Sequence, residues 1–205
     1  ICKSLSKSTK YTVVGIMSGT SLDGLDLALC EFEGSGHELS YKILKSDTIL
    51  YSADQKNKIR SLPYLNVENY FKLHHQFGKF IGKEIVNFLK GTGQKPDAVA
   101  SHGHTVFHQP IKGYSTQIGC GATIAAYSGI TTVCDFRSLD VALNGQGAPL
   151  VPIGDELLFG KYQSCLNIGG IANISFRKDN SRVAFDICVA NIALNHFAQM
   201  AGSED

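Results

Sequence analysis

The run Tyr11-Thr12-Val13-Val14 opens directly into GIMSGTSLDGLD at 15–26, and the chain leaves that bend through the apolar segment LDLALCEF at 25–32. β-Branched and apolar residues on both sides of a Gly/Ser/Thr/Asp cluster predict strand, loop, strand, with the strands over 11–17 and 25–32. Such a chain is committed to a sheet. It also presents backbone amides and hydroxyls at the sheet's end, where glycine lets the main chain approach a ligand closely. A third strand is expected within 38–49, ELSYKILKSDTI.

From 67 to 89 the period changes. Val67, Tyr70, Phe71, His74, Phe77, Ile81, Ile85, Phe88 and Leu89 recur at spacings of three and four, which predicts one face of an amphipathic helix. A short strand at Asp97–Ala100 follows, then a small-residue helix at Ala122–Ser128 stopped by Gly129, a strand at Ile130–Cys134 and a helix over Val151–Phe159. The order describes one α/β layer domain over 11–162. From 163, QSCLNIGGIANISF repeats the pattern of strand, glycine bend and strand, followed by the strand RVAFD and the helix-like ANIALNHFAQMA. We read a weak duplication, with 163–205 the incomplete start of a second domain. Two unrelated hairpins would give the same pattern, and that alternative stays open.

Composition narrows the partners. Nineteen basic and eighteen acidic residues among 205 leave a net charge of +1, without the electrostatic footprint of a nucleic-acid or anionic-membrane binder. A small-molecule or neutral partner is expected. No apolar run reaches membrane-spanning length, and ICKSLSKSTK is not followed by a signal-peptide core, so the expected location is the cytoplasm. Six scattered cysteines (Cys2, Cys30, Cys120, Cys134, Cys165, Cys188) with no C-x-x-C pair read as reduced, mostly buried thiols. His102, His104 and His108 invite a zinc reading, but the stretch carries a glycine, precedes Pro110 and holds no acidic ligand. The pair His74-His75 reads as the edge between core and surface.

Within the first bend, Ser18, Gly19, Thr20, Ser21, Asp23 and Gly24 have the composition of a nucleotide phosphate cradle. Asp23 or Asp26 would offer oxygen to a Mg²⁺ ion or its waters. It is not a Walker A loop, since no Gly-Lys-Ser/Thr follows and it leads into a strand; a dinucleotide fingerprint fails for the same reason. The alternative is a hairpin whose Ser and Asp residues satisfy their own turn amides. The second bend, Gly169-Gly170, adds weight to the phosphate reading, because two such bends could clamp one nucleotide.

Five segments in order, GIMSGTSLDGLD, SHGHTVFHQP (101–110), DFRSLDVALNGQGAPLVP (135–152), LNIGGIANIS (166–175) and FDICVAN (185–191), resemble the signature segments of the anhydro-N-acetylmuramic acid kinases. These enzymes belong to the actin, hexokinase and Hsp70 superfamily. The resemblance implies an α/β, actin/hexokinase-like (ribonuclease H-like) domain with a mixed sheet, plus the beginning of a second similar domain. It further implies an ATP- and Mg²⁺-dependent sugar kinase of cell-wall recycling, which opens a 1,6-anhydro ring with water and phosphorylates O6. Under it, Ser18 to Gly24, with Gly169 and Gly170, would bind the ATP phosphates and Asp23 would lie near the metal. Asp186 would be the catalytic base; read alone, that residue is a helix N-cap before 187–200. Thr105, Asp135, Arg137 and Gln146 would contact the sugar. Arg137 would pair with a carboxylate of the sugar or be tied to Asp135 or Asp140. A homodimer is expected by analogy only.

The chain departs from the family pattern at three places. His104 stands where the pattern has Gln in SHGQT, Leu139 where many members have Arg, and Cys188-Val189-Ala190-Asn191 where the pattern has Gly-Pro-Gly-Asn. With Cys188 and Ala190 in place of the two glycines, positive-φ freedom is lost there, so a differently shaped turn is expected. The rival function is an ATP-binding switch of the chaperone kind, without sugar chemistry.

Overall fold

The computed structural model describes residues 9–35 and 38–202, which form two compact units divided after Gly147. In the first, six strands make one sheet: β1 (Thr9–Ser18), β2 (Gly24–Ser35), β3 (Glu38–Leu50), β4 (Ala98–Gln109), β5 (Tyr114–Ile118) and β6 (Thr132–Cys134). Their order is β3-β2-β1-β4-β5, with β6 also on β4. β1, β2 and β3 form an antiparallel meander, whereas β4 runs parallel to β1 and β6 and antiparallel to β5. The sheet is therefore mixed, as expected.

Alternation along β1 and β2 sends Val14, Ile16, Leu25, Leu27 and Leu29 to one face, all at most 3% exposed. Against that face lie Phe77, Ile81, Ile85 and Phe88 of α2 (Val67–Leu89), joined by Val99, Ile118 and Ile124. Each such side chain contributes roughly 1.5–3 kcal/mol through burial. The helical stripe extends beyond what is covered, since Val67 and Phe71 in the first turns stay exposed. α2 begins at the N-cap Asn66, whose side chain accepts from the Asn69 amide. α3 (Gly121–Ser128) ends where Gly129 takes a left-handed conformation and donates to the Ala125 carbonyl. Two helices escaped sequence reasoning, α1 (Ala53–Ser61) with a Ser52/Gln55 capping box, and the short α4 (Ser138–Ala142).

β4 runs to Gln109, well past the expected end at Ala100, and β5 was not expected at all. The register of β4 on β1 carries one of the irregularities of the sheet. Ile16 pairs with Ser101 but Ser18 pairs with His104, so β4 spends three residues where β1 spends two. Gly103 absorbs the extra residue at φ 70°; a Cβ there would sit 2.3 Å from the Ile118 carbonyl oxygen. Simple alternation from Val99 and Ser101 would turn His104 away from the core. The bulge turns it in, and both Gly103 and His104 are buried.

The second unit contains α5 (Val151–Phe159), an antiparallel meander of β7 (Ser164–Ile168), β8 (Ile171–Lys178) and β9 (Ser181–Val189), and α6 (Asn191–Met200). α5 is tied to this sheet by charge. The Ser175 hydroxyl donates to the buried Asp155 carboxylate, Arg182 donates to Ser175 Oγ at 3.1 Å, and Glu156 accepts from Arg177 and Arg182. No residue of α6 is buried.

The expectation of mostly buried thiols is corrected. Among the described cysteines all are free, Cys30, Cys120 and Cys165 are half-buried, and Cys134 and Cys188 are exposed; Cys2 lies outside the described residues. Cys30 illustrates the reason, because it falls on the β2 face opposite Leu27 and Leu29 and so away from the core. Among the described residues no helix is long and apolar enough to cross a membrane.

Candidate functional site

The loop between β1 and β2 is held at both roots and open at its crest. Ser18, the last residue of β1, is 1% exposed. Its hydroxyl accepts from the Tyr51 phenol at 2.8 Å and lies 3.0 Å from Nδ1 of His104. Tyr51 also ties the far root, donating its backbone N–H to the Asp23 carbonyl at 3.2 Å. Inside the loop the Leu22 amide donates to the Gly19 carbonyl, and the Leu22 side chain is buried. Gly24 begins β2 so close to β3 that a Cβ would meet the Ile49 carbonyl oxygen at 2.6 Å. Thr20, Ser21 and Asp23 are left exposed. Asp26 is occupied, accepting from Thr48 Oγ1 at 2.7 Å, so Asp23 is the loop carboxylate that faces solvent without a hydrogen bond. The exposed oxygens of Thr20, Ser21 and Asp23 suit a hard cation such as Mg²⁺.

Burial dictates the protonation at the inner root. It lowers the His104 pKa to about 4 and pushes the Tyr51 phenol up to about 12. Tyr51 donates to Ser18, and the hydroxyl keeps a proton and a lone pair with which to meet the neutral His104 ring.

A second feature lies in the same unit. β4, β5, β6 and α4 border a cavity of about 260 Å³ whose lining includes His74, Ser101, His102, Gln117, Asp135 and Ser138. Three polar atoms of this lining, Ser101 Oγ, Thr116 Oγ1 and Gln117 Oε1, are buried without a hydrogen-bond partner among the described residues. Such orphans cost roughly 1–3 kcal/mol each, which a polar ligand would recover. Of the residues expected to contact sugar, Asp135 lines the cavity, held at φ 59° and accepting from Ser138 Oγ at 2.6 Å. Arg137 acts behind it, donating Nε to His102 Nε2 at 3.1 Å and Nη1 to the Gly147 carbonyl. The expected tie of Arg137 to Asp135 or Asp140 is corrected, since Asp140 instead accepts from the Gly147 amide at 2.6 Å. Both residues thereby hold the same loop. Thr105 reaches only Gln117, at 3.5 Å, and Gln146 is exposed; neither lines the cavity. Sequence reasoning missed Ser101 and His102, although both stand in SHGHT, and missed Gln117, which no motif marks.

The three histidines of that segment point to separate partners. His102 donates from Nδ1 to the Gly103 carbonyl, His104 faces Ser18, and His108 pairs with Ser115 Oγ at 3.1 Å.

In the second unit Asp186 is exposed on β9. The N-cap alternative is overturned, because β9 continues to Val189 and α6 is capped by Ala190, without a side-chain bond. Asp186 pairs with Asn173 whereas Cys188 pairs with Ala172, so Ile187 is an extra residue and Asp186 borders a bulge. The Gly169-Gly170 bend spends its carbonyls on the next helix, accepting from the amides of Ala190, Asn191 and Ile192. Ala190 sits at φ −120°, and neither it nor Val189 takes a positive φ.

The sequence matches the anhydro-N-acetylmuramic acid kinase family over residues 11–204. The chain belongs to this family. An anhydro-N-acetylmuramic acid kinase of Pseudoalteromonas translucida is 38% identical over 91% of this chain and 52% of its own length. The family member from Vibrio cholerae serotype O1 is 39% identical over 91% of this chain and 52% of its own length, and that from Bacillus cereus (strain G9842) 35% over 91% and 54%. The chain thus spans about half the length of the curated relatives it matches. The family match takes in the β1–β2 loop, the cavity residues and Asp186.

Proposed function

We propose that this chain is the part of an ATP-dependent 1,6-anhydro-N-acetylmuramic acid kinase that carries the phosphate loop, the sugar pocket and the catalytic base. The reading rests above all on the family match from 11 to 204, which includes all three elements. The fold we propose is actin/hexokinase-like, with one such domain followed by the start of a second; the mixed sheet backed by α2 supports the first.

The chemistry follows from the residues. Thr20 and Ser21 offer exposed hydroxyls, and the loop amides donors, to the phosphates of ATP. The sugar occupies the cavity, where Ser101 Oγ and Gln117 Oε1 find the partners they lack and Asp135 accepts from sugar hydroxyls. Asp186, exposed and unbonded, accepts a proton from water as the water oxygen attacks the anomeric carbon; the bond from that carbon to O6 breaks, and O6 takes the γ-phosphoryl as ADP leaves. A Mg²⁺ ion brought with ATP would neutralise phosphate charge, and Asp23 is the residue placed to hold it or its waters.

The deciding experiment incubates the full-length protein with 1,6-anhydro-N-acetylmuramic acid, ATP and Mg²⁺ in ¹⁸O-labelled water and weighs the product. Gain of one phosphoryl group and one labelled oxygen is the expected result. Unchanged sugar with continuing ATP hydrolysis would overturn the reading in favour of a nucleotide switch.

A further inference from the structure

We propose that His104 is a positioning residue for the phosphate loop, acting through Ser18 and Tyr51. The inference rests on the reading of that loop given above.

Three facts carry it. First, the bulge at Gly103 exists in the register where β4 passes Ser18, and its effect is to bring His104 inward. Second, the His104–Ser18–Tyr51 chain is buried and continuous: the phenol donates to the hydroxyl at 2.8 Å, and that hydroxyl lies 3.0 Å from the imidazole Nδ1. Third, Tyr51 grips the other root as well, through Asp23. One tyrosine and one histidine therefore fix the spacing between Ser18 and Asp23. The crest residues Thr20 and Ser21 inherit that spacing, because between the roots they are braced by the turn from Leu22 to Gly19 and by the buried Leu22 side chain.

The surroundings of this chain keep the histidine neutral. His102 on β4 and Asp26 on β2 are the titratable groups that bear on it, the first on His104 directly and the second on Tyr51. His102 in turn faces Arg137. Burial and, less strongly, His102 disfavour a second proton on His104, against a hydrogen bond to the Ser18 backbone that favours it. A protonated imidazole would place a charge within this buried chain.

Glutamine, the residue of the family pattern at this position, keeps an acceptor of similar reach, whereas leucine keeps bulk without one. The test compares His104→Gln, His104→Leu and Tyr51→Phe in the full-length protein, measuring MgATP affinity by calorimetry, KM for ATP and for the anhydro sugar, and Tm. His104→Leu is expected to weaken MgATP roughly ten-fold while the sugar KM moves less than about two-fold, and His104→Gln is expected to stay within about three-fold of wild type. Tyr51→Phe, which keeps the ring and its packing, is expected to weaken MgATP in the same direction and serves if the leucine variant does not fold. MgATP affinity unchanged in a folded His104→Leu or in Tyr51→Phe would overturn the proposal while leaving the kinase reading intact. Parallel losses for ATP and sugar that track the fall in Tm would also overturn it, since that is the behaviour of a purely structural residue. A wild type that binds no MgATP would overturn the loop reading itself, and this proposal with it.

Discussion

Ser18 Oγ and His104 Nδ1 lie 3.0 Å apart although 86 residues separate them in the chain. The contact joins the root of the glycine-rich loop to the strand bordering the cavity, through a bulge that only the register of β4 on β1 produces. Burial keeps this imidazole neutral.

Stability should therefore fall with pH. His104 has a folded pKa of about 4 against an ordinary 6.5, so its contribution is complete above pH 6.5 and is lost as pH falls towards 4, where the unfolded chain binds the proton more readily. The loss amounts to at most roughly 3 kcal/mol. Burial lowers His102 and His74 in the same direction, so His104→Gln should flatten this limb without abolishing it. Urea denaturation at neutral and mildly acidic pH measures the difference.

Asp186→Asn should lower kcat by roughly 10²–10⁴-fold, the range over which a positioned general base acts. MgATP affinity should be unchanged, because the side chain is exposed and makes no hydrogen bond or ion pair among the described residues. Steady-state kinetics with calorimetry separates the two, and near-wild-type turnover would remove Asp186 from the catalytic role.

Gly103→Ala places a Cβ 2.3 Å from a carbonyl oxygen at a φ of 70°. Backbone sits on the other side of the clash, so no side chain can yield. A loss of roughly 3 kcal/mol or more is expected. Thermal unfolding reads it directly, with His104 displaced from Ser18 in the same variant.

Arg137→Lys should raise the sugar KM roughly ten-fold or more and leave the ATP KM near wild type, because a single ammonium cannot serve the His102 ring and the Gly147 carbonyl together. Equal effects on both substrates would show instead that the loop at 140–147 supports the whole unit.

Local chemistry made much of this protein legible in the sequence. The period of three and four over 67–89 is the helix α2, because one face of it meets the apolar side of β1 and β2. The Gly/Ser/Asp bend after Val14 is the loop between two antiparallel strands, because glycine and the short polar residues end each strand where it stands. Asp186 and Asp135 were chosen by motif and lie exposed or at the cavity. What stayed hidden depends on contacts between distant residues. β4 was expected to stop at Ala100, since its continuation carries Gly103 and three histidines and gains its stability from pairing with β5. Ser18 has the composition of a phosphate donor, but Tyr51 and His104 claim its hydroxyl. Arg137 has the chemistry to grip a carboxylate, yet it holds His102 and Gly147. Residue types and their periods determine which elements form and which atoms are able to donate or accept. Only the tertiary structure decides which partner each atom meets, because the one-residue shift at Gly103 and the return of Tyr51 to the loop are set by packing across the sheet, not by any neighbour in sequence.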